Sequence, residues 1–129
     1  MVAETGLVLL VLTLFAAKHF VADFVLQTGW MFRNKGVYGH PGGLAHAGLH
    51  MLGSLPVLTV AGLAPPGILL VVVAEGVVHY HIDWGKERLT HRFDTNPQNR
   101  LFWFLIGADQ FLHHLTYIGM TVIALRFAA

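Results

Sequence analysis

Histidine and aspartate recur four residues apart at four places in the chain, each time within apolar sequence. The pairs are His19 and Asp23, His46 and His50, His79 and Asp83, and Asp109 and His113. On a helix this spacing stacks both side chains on one face, with Cβ atoms about 5–6 Å apart. Imidazole and carboxylate suit Zn, Fe or Mn, and the chain has no Cys to supply a thiolate. The pattern predicts a metal centre built from all eight residues, with Zn or Fe as the first choice and Mn as an alternative.

The number of ligands bears on how many ions the centre holds. Eight candidates exceed the four ligands of a tetrahedral zinc, which favours two ions that share a carboxylate over one ion. The set is also richer in histidine than the carboxylate di-iron sites of helical bundles. The alternative interpretation is that the pairs are hydrogen bonds between helices. Four pairs at a similar depth favour the metal centre.

Other polar residues accompany the pairs. Glu75 lies one turn before His79 on the same face and is a candidate general base, or else a protonated hydrogen-bonding group. Lys18 points about 100° away from His19, so we expect it to reach the membrane surface or a substrate headgroup. The residues predicted to orient the ligands or to bind substrate are Lys18, Gln27, Lys86 and Gln110. The histidines predicted to lie outside the centre are His40, His81, His91 and His114.

Four apolar segments must position these residues, at about 6–27, 43–63, 67–84 and 101–125. A bilayer core of about 30 Å needs about 20 helical residues, and the segments fit that range. Only 12% of the residues are charged and 55% are hydrophobic, against about 25% charged in an average soluble protein. We therefore expect an all-α integral membrane four-helix bundle with antiparallel neighbours, forming a single transmembrane domain over residues 1–129. A soluble bundle is the weaker alternative.

Charge sets the expected topology and excludes some partners. A net charge of +1 gives no basic surface for nucleic acid. The basic residues concentrate in the predicted loops 29–42 and 85–100, so the positive-inside rule places both loops in the cytoplasm and both termini outside. Trp30, Trp84 and Trp103 lie at the same predicted boundary, as an aromatic belt would. The expected environment is a lipid bilayer crossed several times.

The run from His19 to Met31, HFVADFVLQTGWM, is followed by Asn34 and Lys35. It resembles the start of the domain-of-unknown-function family 3307, a family of small bacterial integral membrane proteins. The rest of that pattern is matched by HxxxH at 46–50, HxxxDxxK at 79–86 and DQxxH at 109–113. The resemblance spans residues 14 to 115 and implies the bacterial inner membrane, but it implies no activity. A looser similarity, His with Asp in apolar helices, is to bacterial inner-membrane metal-dependent hydrolases.

Three functions are compatible with this pattern. The first is an intramembrane metal-dependent hydrolase, in which a metal lowers the pKa of a water to about 7 and polarises an ester or phosphoryl oxygen. A lipid or isoprenoid phosphate is the expected substrate, because the site lies near the cytoplasmic interface. The second is a di-iron-type oxidoreductase acting on a lipid or quinone. The third is non-catalytic: a metal-stabilised scaffold, an accessory subunit of a membrane complex, or an ion carrier formed by a homo-oligomer.

Overall fold

The computed structural model describes residues 2–128, with side chains from residue 4 onward, and every regular element within this range is a helix. The elements are α1 (Val2–Phe20), a π-helical turn that continues it (Val21–Leu26), α2 (Gly29–Asn34), α3 (Pro41–Val60), α4 (Pro65–Arg92) and α5 (Arg100–Arg126). Residues 2–128 form no strand beyond an isolated bridge between Leu63 and Ala128. The predicted all-α class is confirmed.

The four long helices surround a common interior. α1 packs against α3 and α5, and α4 packs against the same two helices. The short α2 and the π-helical turn both contact α3. Because only residues 61–64 join α3 to α4, these two helices form a hairpin. One face of each long helix is thereby turned toward the centre, where polar side chains from all four can meet.

Proline and glycine set the ends of the central hairpin. His40 precedes α3 and its Nδ1 accepts a hydrogen bond from the Gly42 N–H, while Pro41 occupies the first helical position. α3 ends shortly before Gly62, whose φ of 84° is a left-handed conformation that glycine adopts without strain. Pro65 then begins α4. The hairpin that carries half of the predicted ligands is therefore specified locally by the sequence.

Two predicted loops contain helix. α4 continues to Arg92, eight residues beyond the predicted end of the third apolar segment at 84. Residues 86–89 are Lys, Glu, Arg and Leu, which all favour helix, so the backbone stays helical after the apolar run ends. The predicted loop 29–42 likewise contains α2, which Thr28 caps by accepting a hydrogen bond from the Met31 N–H at 3.3 Å. Hydropathy marked the apolar segments here and did not mark the ends of the helices.

Apolar side chains cover the outside of the helices, and polar side chains lie inside. Leu70 is 72% exposed and Phe24 is 70% exposed, whereas His50 is fully buried. Within the described residues, three helical stretches are long and apolar enough to cross a membrane, Glu4–Leu26, Pro41–Val60 and Pro65–Arg92. α5 is not among them, because its buried Asp and His residues lower its hydropathy. An apolar exterior around buried charged groups is typical of a membrane protein.

The interior is apolar near the 61–64 turn and polar toward the other end. Val11, Phe15 and Leu58 belong to the buried apolar cluster beside the turn. Lys18 lies where the polar part begins, and its side chain crosses α3 at Gly53. A Cβ at position 53 would lie 2.7 Å from the Lys18 Cγ, so the missing side chain lets this lysine enter the interior.

Candidate metal centre

Each long helix contributes one polar face to the interior. The predicted ligands are His19 and Asp23 from α1 and its π-helical turn, His46 and His50 from α3, His79 and Asp83 from α4, and Asp109 and His113 from α5. Asp23 is partly exposed and the other seven are buried. Each of the eight has a side-chain nitrogen or oxygen within 3.5 Å of another member. The structure therefore brings all eight into one connected cluster.

A π-helical turn positions Asp23. Such turns are rare and occur most often as bulges at functional sites. The Asp23 Oδ2 stays 3.2 Å from the Nε2 of His19, one turn earlier. Its Oδ1 lies 3.1 Å from the Nε2 of His46 and 3.0 Å from the Nε2 of His50, both on α3. One carboxylate thus faces three imidazoles from two segments of the chain.

Asp83 on α4 makes a corresponding set of contacts. Its Oδ2 lies 3.3 Å from the Nε2 of His46 and 3.4 Å from the Nε2 of His79. Its Oδ1 lies 3.2 Å from the Nε2 of His113 on α5. Asp83 therefore also faces three imidazole Nε2 atoms, and His46 is common to both aspartates. His46 therefore connects the residues around Asp23 with those around Asp83.

The spacing of these atoms fits metal coordination. Two sets each offer ligand atoms that all lie within 4.8 Å of one another: Asp23 with His46, His50 and His79, and His79 with Asp83 and His113. Ligands about 2.0–2.2 Å from a tetrahedral Zn²⁺ lie roughly 3.3–3.5 Å apart, close to the separations given above. The Nε2 atoms of His46 and His79 are buried and make no hydrogen bond within residues 2–128. Both Nε2 atoms are therefore available as metal ligands.

Gln110 holds the edge of the cluster. Its Oε1 lies 3.0 Å from the His19 Nε2, and its Nε2 donates to the Asp109 Oδ2 at 3.1 Å. His19 and Asp109 fall outside both ligand sets, although each lies beside a member of one. Gln110 thus contacts two of the predicted ligands, and its role in orienting them stays a prediction.

Tyr117 links two histidines on the side away from the aspartates. Its hydroxyl lies 3.0 Å from the Nδ1 of His19 and 3.3 Å from the Nδ1 of His50. Contacts to the outer ring nitrogen of a ligating histidine fix the orientation of its ring. Tyr117 is therefore placed to hold the orientation of both imidazoles.

Lys18 and Glu75 form a buried ion pair beneath the cluster. The Lys18 Nζ lies 2.5 Å from the Glu75 Oε1, and the two side chains are 6% and 0% exposed. The same ammonium lies 3.2 Å from the His50 Nδ1 and 3.2 Å from the Tyr117 hydroxyl. The expectation that Lys18 reaches the membrane surface is wrong, because Glu75 holds it inside. Glu75, the candidate base, contacts this lysine and none of the eight predicted ligands.

A family model described as "Protein of unknown function (DUF3307)" matches residues 9–128. The chain belongs to this family. The match confirms the resemblance seen in the sequence and covers every residue of the cluster. No curated protein and no solved structure matches the chain. The chemistry of this DUF3307 protein therefore has to be argued from its own residues.

The structure separates the nine histidines of this DUF3307 protein as the sequence predicts. Five belong to the cluster and four lie outside it. His81 contacts the Tyr38 hydroxyl at 3.0 Å, and His114 contacts the Gln110 carbonyl at 2.6 Å. His40 caps α3 and His91 lies near the end of α4. The i, i+4 pattern was enough to distinguish the two groups.

Lys35 reaches the cluster although it lies in a predicted loop. It follows α2, is only 6% exposed, and places its Nζ 2.9 Å from the Asp83 Oδ2. α3 has Gly43 beside it, where a Cβ would lie at an ordinary contact distance of 3.7 Å from the Lys35 Cα and closer, at 3.2 Å, to the Tyr80 ring. No spacing rule points to this lysine. Tyr117 is the other residue of the site that the sequence did not predict. It lies four residues after His113 on α5, so the same i, i+4 spacing could have identified it.

Two further predicted residues lie at the margin. Gln27 donates from its Nε2 to the Asp23 carbonyl at 3.0 Å, so it braces the π-helical turn rather than a ligand side chain. Lys86 pairs with the neighbouring Glu87 carboxylate. Lys86 also lines a cavity between α4 and α5 that Asp109 lines. This cavity reaches the cluster from the outside of the bundle.

Proposed function

We propose that this DUF3307 protein is an integral membrane metal-binding protein whose His/Asp cluster holds one or two divalent ions, with Zn or Fe as the first choice and Mn as the alternative. The observation that carries the proposal is the convergence of five Nε2 atoms on the carboxylates of Asp23 and Asp83, with two of those Nε2 atoms lacking a hydrogen bond. Asp23 and Asp83 would anchor the two positions. His46 and His79 lie between them.

Hydrogen bonding between helices explains the cluster less well. A buried polar atom without a partner costs about 1–3 kcal/mol, so a cluster that served only to join helices would leave none. Here the Nε2 of His46 stands between two carboxylates, 3.1 and 3.3 Å away, in an orientation that bonds to neither. The same holds for His79 at 3.4 Å from Asp83. Coordination of a shared cation satisfies both nitrogens at once.

We propose further that the centre serves a hydrolase acting on a lipid or another phosphate-bearing substrate. A divalent ion in such a site activates water and polarises an ester or phosphoryl oxygen. Lys35 places a positive charge beside Asp83, where it would bind an anionic oxygen of the substrate. Asp109 is better placed than Glu75 to take a proton, because its carboxylate lies within the cluster, 3.5 Å from the His113 Nε2, whereas the Glu75 carboxylate is paired with Lys18.

The same proposal places α5 across the membrane beside the other three long helices. α5 packs against α1 and α4, and it turns Phe111 and Val122 outward, 62% and 59% exposed. Four spans put both termini on one side. The basic loops then favour the bacterial inner membrane with those loops in the cytoplasm and the termini outside. Fusion of a periplasm-active reporter to either end tests this orientation.

Elemental analysis of the detergent-purified protein tests the metal centre. We expect about one or two equivalents of Zn, Fe or Mn per chain, and at least a tenfold weaker hold on the metal in Asp83→Asn, which keeps the shape of the side chain and removes its charge. The matched control is Asp94→Asn, at an exposed turn after α4. A wild-type protein that holds no stoichiometric metal after reconstitution would overturn the proposal. The element found then decides between hydrolytic and redox assays.

Replacing Tyr117 with Phe tests how the histidines are held. The variant keeps the ring that stacks on Phe15, with centroids 5.2 Å apart, and removes only the hydroxyl. We expect the metal affinity to fall about 10–100-fold while helicity is unchanged, since partners of ligating imidazoles have effects of that size. Tyr38→Phe is the control, because the Tyr38 hydroxyl contacts the exposed His81. Competition with a coloured chelator gives both affinities, and equal affinities would refute the positioning role.

A further inference from the structure

Two cavities lie along the seam between α4 and α5, and a third adjoins them on α4. The innermost, of about 360 Å³, is lined by Glu75 and Val78 among apolar residues. The middle one, of about 540 Å³, is lined by Val78, Asp109 and Leu89. The outermost, of about 430 Å³, is lined by Arg88, Leu89, His91 and Arg92. Val78 and Leu89 are each shared by two of these cavities, so the cavities adjoin one another in a groove along α4.

The groove is apolar along most of its length and touches the metal centre at one point. Asp109 lines its middle part and lies 3.5 Å from the His113 Nε2. The apolar walls there come from Val77, Ile82, Leu105 and Leu112. A chain-like apolar molecule lying in this groove would pass directly beside the cluster. The groove therefore offers a lateral route to the centre for a molecule dissolved in the bilayer.

The outer end of the groove is basic. Arg88 and Arg92 are four residues apart on α4, so their side chains share a face. Neither guanidinium forms an ion pair within the described residues, because Glu87 pairs with Lys86 and lies 3.9 Å from His91. Guanidinium groups bind phosphate through paired N–H donors. The free charge at this end therefore complements a phosphate and not a cationic or neutral headgroup.

We propose that the α4–α5 seam binds a phosphate-headed lipid, with the phosphate between Arg88 and Arg92 and the hydrocarbon chain along the apolar groove. Arg88 is five residues beyond Asp83, about 7.5 Å along the helix axis, so a chain lying along the groove comes level with the cluster several bonds below the phosphate. As a substrate site, this seam rests on the metal centre proposed above. As a lipid-binding site it depends only on the groove and its two arginines.

Binding of oleoyl lysophosphatidic acid to the full-length protein in neutral detergent tests the proposal. We expect two compounds to bind at least about tenfold more weakly. Oleoyl lysophosphatidylcholine has the same chain, but its phosphodiester has one negative charge and carries a choline cation that the two arginines repel. Inorganic phosphate has no chain to fill the apolar groove. The double variant Arg88→Gln/Arg92→Gln should lose about tenfold or more, because it removes both guanidinium groups. Ala108→Phe, which fills the middle cavity, should lose a similar factor.

Ala17→Phe is the matched control, because Ala17 lines a different groove between α1 and α3. Its affinity for the probe should be that of the wild type. Equal affinity for the two lysolipids, or equal weakening by Ala17→Phe and Ala108→Phe, would overturn the proposal and leave only non-specific lipid around the helices. Inorganic phosphate that binds as tightly as the lysolipid would also overturn it, in favour of a free phosphate ligand.

The metal-depleted His46→Ala variant separates this inference from the proposed function. We expect it to lose metal and to keep the affinity for lysophosphatidic acid, since His46 lines none of the three cavities. If the wild type holds no stoichiometric metal but still binds the lipid, the proposed metal centre is overturned and the lipid site is supported. If it holds stoichiometric metal but shows no preference for the phosphate headgroup, the lipid site is overturned and the metal centre is supported.

Discussion

The His79→Ala variant should lose the whole metal complement. His79 is the member common to the two ligand sets found within the described residues. Its ring stacks between those of His50 and His113, with centroids 3.7 and 4.1 Å away. If the wild type holds two ions, His50→Ala and His113→Ala should each retain roughly one, since each belongs to a single set. If it holds one, only one of these two variants should lose it, whereas His79→Ala loses it in either case.

The control for this series is His114→Ala. His114 adjoins His113 in sequence, is exposed, and bonds to the Gln110 carbonyl, outside both ligand sets. It should keep the wild-type metal content. Circular dichroism and gel filtration in detergent show whether each variant is folded, and metal per folded chain is the quantity compared. A folded His79→Ala protein with full metal content would contradict the shared role of this histidine.

Much of the fold could be predicted, because long apolar helices leave a simple signal. The apolar segments located the four long helices, and the Pro65–Pro66 pair marked the turn between α3 and α4. The ends of the helices could be predicted less well, since α4 stays helical for eight residues past its apolar run. The π-helical turn at Val21–Leu26 could not be predicted. An i→i+5 turn depends on the packing around it, and residues 21–26 carry no local feature that requires one.

The candidate site was predictable where it follows helical periodicity. Each predicted ligand pair lies on one helix face, so the sequence alone indicated the eight residues that meet in the cluster, six of which belong to the two ligand sets. The same periodicity separated His113 from His114. Contacts between helices could not be predicted from this periodicity. Lys35 reaches Asp83 only because α2 folds back onto α3, and Lys18 meets Glu75 only because Gly53 lets it pass inside. Both lysines were expected at the surface, since a single charged residue gives no sign of a distant partner.

The Lys18→Met variant should lose about 3–5 kcal/mol of stability, the usual cost of leaving one member of a buried ion pair without its partner. The Glu75 carboxylate is fully buried, and its Oε2 already lacks a hydrogen bond within the described residues, so no neighbour replaces the lysine. Glu75→Met should cost a similar amount, because it leaves the ammonium of Lys18 uncompensated. Unfolding in mixed detergent micelles of rising SDS content measures the free energy of each variant.

The double variant Lys18→Met/Glu75→Met decides whether the two residues act as a pair. Replacing both charges with apolar side chains of similar size is often neutral, so most of the lost stability should return. The metal content of the double variant then shows whether the pair affects metal binding as well as stability. Lys18 also contacts the His50 Nδ1, so a stable double variant with weakened metal binding would assign the pair to orienting that ligand. If the double variant were as unstable as the sum of the single ones, the two charges would act independently, and the 2.5 Å contact would not be the source of their effect.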